Sequence, residues 1–251
     1  MRGSEFVAAL PEAPGPRREA AILDAVRAGH VVLDWSPIEV RDGRHILRFW
    51  VSSDVLRLGE PCDSDRVAIT CRTHRLIAEE LGCLLPTPRI SDLVWLHADV
   101  RLRVYVQPPR PAMASKTAFL RHHEQLEAGR CGLVTAGKDW VLCRRLSTAP
   151  GRAANYGWHL PRGGRPGVTP GVRVVQPLGL AHDLDHVDYS QFCRLVPRRC
   201  ELDGRESDLV DVLADPALAS LVSHEGPVGR DVLVERQAQA VEPARPPPRA
   251  I

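Results

Sequence analysis

A connection rich in glycine and proline, in the second half of the chain, constrains the fold most strongly. It separates two clusters of imidazole, carboxylate and phenol groups, at residues 155–159 and 182–191. The connection includes the pair Gly163-Gly164 and the prolines Pro166 and Pro170. Because glycine and proline interrupt regular structure, the pattern predicts a flexible loop between the two clusters. Such an arrangement is typical of a cleft, and we expect the chemistry of the chain within residues 153–196.

Composition narrows the class of protein. The chain has 251 residues, of which 44% are apolar and 25% charged, as in an ordinary globular protein. The formal net charge is only +2 and the arginines are scattered, so we expect no nucleic-acid partner. No apolar run approaches the roughly 18 residues that span a bilayer, and the first residues lack the apolar core of a signal peptide. We therefore expect no membrane partner.

The cysteines indicate a reducing compartment. There are seven of them, an odd number, and no two form a C-x-x-C pair. This pattern disfavours a zinc ribbon, a thioredoxin-type site and a disulfide framework. We therefore predict a cytoplasmic protein with reduced cysteines, most of them buried as small apolar groups.

Periodicity and turn signals predict an α+β fold, with a helix-rich N-terminal half packed on a strand-rich C-terminal half. Residues 1–16 are predicted to be an irregular leader of the kind that expression vectors add, 17–227 a single domain, and 228–251 a largely disordered tail. Helices are predicted at 17–28, 73–81, 116–130 and from Thr87, where a capping threonine precedes Pro88. Strands are predicted at 38–40 and 45–51, around the turn Asp42-Gly43, and at 101–106 and 192–196.

Five short motifs resemble a family of bacterial proteins to which we attach no activity. They are LGCLLPT at 81–87, GKD at 137–139, YGWH at 156–159, DYS at 188–190 and RLV at 194–196. The resemblance extends from about Arg17 to Pro227. Members of that family are often secreted, whereas this chain shows no leader, and Gln191 stands where the family pattern has a histidine. The resemblance therefore implies a shared fold and no function.

The residues themselves predict a thiol-dependent hydrolase or acyl transferase that acts on an amide or ester of a small molecule or peptide. Cys83 precedes a predicted helix, whose dipole and a nearby imidazole would lower the pKa of its thiol. His159 would act as the base and Asp188 would orient its ring. Further side chains are predicted to contact the substrate: His123, Glu127, Lys138, Tyr156, Trp158, His182 and Tyr189.

Other interpretations stay open. An acid–base lyase, isomerase or cyclase could use His123, Glu127, Tyr156 and His159, since His123 and Glu127 are spaced to share one helix face. A non-catalytic module could bind a glycan or peptide through its aromatic side chains. His182 and His186 have the spacing of two metal ligands, but the sequence around them lacks an H-E-x-x-H pattern. We predict no metal ligand and no cofactor, and the oligomeric state is left open.

Overall fold

The computed structural model describes residues 1–108, 111–126 and 132–234. Its α-helices are α1 (Gly3–Ala9), α2 (Pro16–Arg27), α3 (Cys71–Glu80), α4 (Pro88–His97), α5 (Lys116–Gln125), α6 (Leu209–Ala214) and α7 (Arg230–Leu233). Short 3-10 turns occur at Pro111–Ala114, Arg144–Thr148 and Ala219–Leu221. One cluster of buried apolar side chains extends from Val7 to Leu233 and joins these helices to the sheets.

The strands belong to several sheets. They are β1 (Val31–Val32), β2 (Trp35–Arg41), β3 (Ile46–Ser52), β4 (Arg57–Glu60), β5 (Asp63–Arg66), β6 (Cys83–Leu84), β7 (Val100–Arg101), β8 (Val134–Thr135), β9 (Lys138–Val141), β10 (Arg152–Leu160), β11 (Arg165–Pro166), β12 (Arg173–Asp183), β13 (Gln191–Phe192), β14 (Val196–Pro197), β15 (Arg199–Leu202) and β16 (Arg205–Asp208). The predicted mixed α+β class is confirmed. Strands are more numerous in the C-terminal half, but the first half also contains β1 to β7, so the predicted division between halves holds only in part.

The largest sheet carries most of the polar side chains discussed below. Its strand order is β11-β12-β10-β9-β13. The long strands β10 and β12 are antiparallel, β9 pairs antiparallel with β10, and β13 pairs parallel with β9. Helix α4 packs against β10. Residues of α4, β9 and β10 are therefore brought together although they are distant in the sequence.

Local signals account for the helices and turns that flank this sheet. Thr87 accepts a hydrogen bond from the amide of Ile90, and Pro88 occupies the first turn of α4, as predicted. The predicted hairpin around Asp42-Gly43 is also confirmed, as strands β2 and β3. Gly43 has a φ of 89°, a conformation that glycine adopts at little steric cost.

Residues 1–16 differ from the predicted irregular leader. They include α1 and the first residue of α2, and Val7 is fully buried. Gly3 lies so close to β4 that a Cβ atom there would stand 2.5 Å from the carbonyl oxygen of Leu58. Apolar burial and this close approach hold the segment against β4 and β5.

The connection between the two polar clusters also differs from the prediction. Residues 160–181 contain β11 and most of β12, so the segment is a hairpin arm and not a flexible loop. The strand predicted at 101–106 is confined to Val100–Arg101, and the helix predicted at 116–130 is observed to Gln125. The predicted disordered tail, 228–251, begins with ordered structure, because α7 covers Arg230–Leu233 and buries Val232 and Leu233. Residues 127–131 and 235–251 lie outside the described ranges.

Within the described residues, the helices fall short of the length and apolar character that crossing a bilayer requires.

Candidate functional site

A buried carboxylate, Asp92, is the centre of the most concentrated set of polar contacts. Its side chain is fully shielded from solvent and accepts three hydrogen bonds. The hydroxyl of Tyr156 and Nε2 of His159 donate to Oδ1, at 2.7 and 2.8 Å. The backbone amide of Thr169 donates to Oδ2 at 2.7 Å. Three donors offset the cost of burying the charge and fix the position of the carboxylate.

An irregularity in β10 places both donor side chains on Asp92. Side chains three positions apart in a regular strand point to opposite faces, so Tyr156 and His159 could not share one acceptor. The register with β12 shifts between Asn155 and Gly157, and Gly157 and Trp158 have positive φ values of 123° and 58°. Positive φ is uncommon for a residue other than glycine and often marks a functional position. The YGWH sequence thus turns two polar groups toward one helix.

The His159 ring is held on several sides. Trp95 stacks on it, with ring centroids 5.6 Å apart and planes at 17°, and Tyr156 meets it edge-on at 5.7 Å. Because the Asp92 carboxylate can only accept, the geometry assigns the Nε2 proton to His159 and leaves a lone pair on Nδ1. Within the described residues, Nδ1 has no hydrogen-bond partner, and 7% of the side chain remains exposed. This nitrogen therefore keeps an unshared lone pair.

A narrow pocket adjoins His159. It encloses about 330 Å³ of empty space, counted to its opening on solvent, which leaves room for water. Its polar lining includes Ser91, Asp139 and Arg194, and its apolar lining includes Val94.

Three buried polar atoms of this lining have no protein partner among the described residues, namely Oδ1 of Asp139, Nε1 of Trp158 and Nε of Arg194. The other Asp139 oxygen accepts a hydrogen bond from Ser91 at 2.7 Å. Arg194 donates through its two terminal nitrogens to the carbonyls of Ser52 and Val134, each at 2.6 Å. Buried polar atoms are nearly always satisfied, so these three atoms indicate a place for water or a ligand.

Burial raises the pKa of Asp139, against the opposing effects of Arg194, the Ser91 hydrogen bond and His159. A raised pKa favours the protonated carboxylic acid, which can donate a proton. The pocket is thus lined by an imidazole with an unshared lone pair and by a carboxyl group whose pKa burial raises.

A second polar cluster lies on the same sheet. Nζ of Lys138 donates to Asp188 at 2.7 Å, and the amide and hydroxyl of Ser190 donate to the other Asp188 oxygen at 2.9 and 2.7 Å. Burial alone would raise the pKa of Asp188, but Lys138 and Ser190 hold it below its usual value. Lys138 also lies over the Trp158 ring, 5.4 Å from its centroid.

The structure corrects the predicted role of Cys83. Its thiol is 5% exposed and donates to the carbonyl of Leu81 at 3.4 Å, in a strand paired with β14. Burial raises the pKa of this thiol to about 12. A nucleophilic cysteine needs the opposite shift, and the described contacts of Cys83 do not include His159. The cysteine nucleophile therefore has no support.

The predicted pairing of His159 with Asp188 is also corrected. The imidazole binds Asp92, whereas Asp188 binds Lys138 and Ser190. A carboxylate does orient the ring as predicted, but it comes from α4. Of the predicted site residues, Tyr156 and His159 both bind Asp92.

The other predicted contact residues are dispersed. His123 binds Asp65 at 2.8 Å, away from the contacts of Asp92, and the Tyr189 hydroxyl accepts from the amide of Gln107. Trp158 lines the pocket. Glu127 lies outside the described residues.

His182 and His186 stack face to face, with centroids 3.8 Å apart and planes at 10°. Ring-nitrogen lone pairs lie in the ring planes, so two parallel stacked rings cannot direct both lone pairs at one ion. Among the described residues, no group of three potential ligands is placed to hold a metal. Burial lowers the pKa of both rings, and for His182 the neighbouring His186 adds to this effect.

Sequence reasoning missed Ser91, Asp92 and Arg194 as site residues, and it included Asp139 only within the GKD motif. A signal for Asp92 exists in the sequence. Ser91-Asp92 interrupts the apolar positions of a helix between Ile90 and Leu93, and a carboxylate on a buried helix face requires donors.

Comparisons of the chain with protein-family models, with curated proteins and with solved structures returned no significant match. The resemblance of its motifs to a bacterial family therefore stays a prediction.

Proposed function

We propose that the chain is an acid–base hydrolase in which His159 activates a water molecule for attack on a small ester or amide. The observation that carries this proposal is the unpartnered Nδ1 of His159, held by Asp92 beside a pocket with room for water. An imidazole oriented by a carboxylate, with its other nitrogen directed at the substrate, is the arrangement that general-base catalysis uses.

The proposed step assigns a role to three side chains. Nδ1 of His159 takes a proton from water as the water oxygen forms a bond to the carbonyl carbon. The carbonyl oxygen gains negative charge, which the Arg194 guanidinium stabilises. Asp139, in its protonated form, gives its proton to the leaving alcohol or amine as the bond between that group and the carbonyl carbon breaks. The proton on His159 then returns to Asp139 through water, so the site is restored.

The lining indicates the kind of substrate. Val94, Leu102 and Val104 form an apolar wall of the pocket. Its small interior favours a short acyl or alkyl group, with the remainder of the substrate outside. The proposal keeps the hydrolysis of an ester or amide that the sequence predicted, but water replaces the thiol as the nucleophile.

The proposal is tested with nitrophenyl esters and nitroanilides of short acyl chains, measured by nitrophenol or nitroaniline release at neutral pH. We expect His159→Gln to lower kcat by about 10²–10⁴, the range for loss of a general base. Asp92→Asn should lower it by about 10²-fold or more, through loss of the ring orientation. His45→Gln, at a partly exposed histidine bound to Asp203, is the matched control and should retain full activity.

Two results would contradict the mechanism. Wild-type turnover by His159→Gln would exclude the base, and loss of turnover in Cys83→Ala with an intact fold would restore the thiol mechanism. Failure of every substrate, with specific binding of a peptide or glycan, would favour the non-catalytic module.

A further inference from the structure

The indole of Trp158 carries a buried hydrogen-bond donor. Trp158 lines the pocket beside His159 and is 6% exposed. Its Nε1 is buried and has no acceptor among the described residues. An indole N–H can only donate, and a buried one usually has a partner. The missing acceptor is therefore to be sought in a water or a ligand of the pocket.

The surroundings of Trp158 fix the position of its ring. The residue has a positive φ of 58°, and its backbone amide donates to the carbonyl oxygen of Gly137 at 3.0 Å. The rings of His122 and Tyr189 pack against the indole, with centroids 6.1 and 6.0 Å away. The indole is thus a donor fixed in advance, which needs little reorganisation when charge develops on its acceptor.

Nε of Arg194 is a second open donor in the same lining. The two terminal nitrogens of this guanidinium donate to the backbone carbonyls of Ser52 and Val134, so the group is also held in place. Its side chain is 1% exposed, which leaves water little access to the remaining N–H. Two fixed donors, one of them on a cation, therefore line one narrow pocket.

The rest of the lining indicates which acceptor these donors would bind. Val94, Leu102 and Val104 supply apolar surface in the same pocket. A negatively polarised oxygen attached to a short alkyl chain matches both the donors and the apolar wall. The carbonyl oxygen of an acyl group and the carboxylate of the free acid have this form. A phosphate or sulfate ion would leave the apolar wall uncovered and most of its oxygens without a donor.

We propose that the indole N–H of Trp158, together with the Nε–H of Arg194, binds the carbonyl oxygen of a short acyl group. As the water oxygen bonds to the carbonyl carbon, the carbonyl oxygen becomes negative and both hydrogen bonds strengthen. The carbonyl double bond forms again when the leaving group departs, and Trp158 gives up no proton. This catalytic role rests on the function proposed above, whereas binding of the free acid does not.

Binding is tested without turnover, by ¹⁵N NMR of protein labelled in tryptophan. The chain has five tryptophans, and the indole signal of Trp158 is the one lost in Trp158→Phe. Sodium butyrate should move this signal downfield in a saturable manner, because a carboxylate is a charged and therefore stronger acceptor. The signals of Trp35 and Trp50, which are not part of the lining, should stay in place. Sodium chloride at the same concentration should move none of them.

Catalysis is tested with nitrophenyl butyrate. Trp158→Phe keeps an aromatic ring but removes the N–H, and kcat and kcat/KM should fall together by about 10²-fold, as for loss of one oxyanion donor. Trp140→Phe is the matched control, since Trp140 is buried in the same sheet and its Nε1 already donates to the carbonyl of Ile69. Folded Trp140→Phe should keep the wild-type kcat, with circular dichroism as the check on folding. A role of Trp158 in packing alone would lower stability and leave kcat of the folded variant unchanged.

Three results would overturn the proposal: no response of the Trp158 signal to butyrate, an equal response to chloride, or wild-type kcat in folded Trp158→Phe. If that variant proves unfolded, a wild-type spectrum in which butyrate moves none of the indole signals would still overturn it. The hydrolase proposal fails separately. If no ester is hydrolysed but butyrate moves the Trp158 signal, the carbonyl-binding role stands and the hydrolase does not.

Discussion

The two polar clusters of the main sheet differ in how completely their polar atoms are paired. Both use β9, since Lys138 belongs to one cluster and Asp139 to the other. In the Lys138 cluster, both Asp188 oxygens have partners and the lysine is paired. In the Asp92 cluster, both Asp92 oxygens accept hydrogen bonds, but buried atoms of Asp139 and Arg194 that line the pocket have no partner among the described residues. A closed network is typical of a structural role, whereas an anchored group with an open atom is typical of a chemical one.

The largest effect is expected on removal of the anchor. Asp92→Ala leaves three buried donors without an acceptor and should lower the free energy of unfolding by about 3–5 kcal/mol. Urea denaturation of the wild type and the variant measures this difference. A loss below about 1 kcal/mol, typical of a surface contact, would show that Asp92 does not anchor the cluster.

A somewhat smaller effect is expected in the closed cluster. Lys138→Met keeps the length of the side chain but removes its charge, and Asp188 retains its Ser190 hydrogen bonds. We expect a loss of about 2–4 kcal/mol, toward the lower side of the range for a broken buried pair. The pocket beside His159 should stay intact in this variant. Folded Lys138→Met protein should therefore keep the hydrolysis expected of the wild type.

The dependence of stability on pH tests the ion pair of the Lys138 cluster. The folded-state pKa of Asp188 is lowered, so its contribution to stability is present above the unfolded value of about 3.9 and is lost as the pH falls through the folded value. Asp188→Asn should therefore flatten the dependence of unfolding free energy on pH below about pH 4. An unchanged slope in the variant would contradict the ion pair with Lys138.

The smallest effect is expected at Cys83. With a pKa of about 12 its thiol should alkylate slowly at neutral pH, whereas the exposed Cys62 should react first. Mass spectrometry after timed iodoacetamide treatment measures both sites. Rapid labelling of Cys83 in the folded protein would contradict its burial.

The sequence predicted much of the local structure. Helix caps such as Thr87 and the Asp42-Gly43 turn depend on neighbouring residues, so their signals are visible in a short stretch. The same stretches predicted His159 and Tyr156 as site residues from their types. The α1 helix was missed because its burial depends on β4 and β5, which the leader itself does not reveal.

The anchor of the site could not be predicted in the same way. Asp92 and His159 are 67 residues apart, and their contact depends on the packing of α4 against the irregular part of β10. Cys83 was given the wrong role because closeness to a helix start is a local signal, whereas the pairing of β6 with β14 that buries the thiol is not. Local chemistry thus pointed to the imidazole of His159, whereas the carboxylate that binds it depends on tertiary contacts.

The central claim is that Asp92 holds the proton of His159 on Nε2 and leaves Nδ1 open to the pocket. ¹⁵N NMR of histidine-labelled protein above neutral pH tests it directly, with the resonances assigned by comparison with His159→Gln. The account predicts a protonated Nε2 and an unprotonated Nδ1, with the preference lost in Asp92→Asn. A proton fixed on Nδ1, or a tautomer that does not respond to Asp92→Asn, would contradict it.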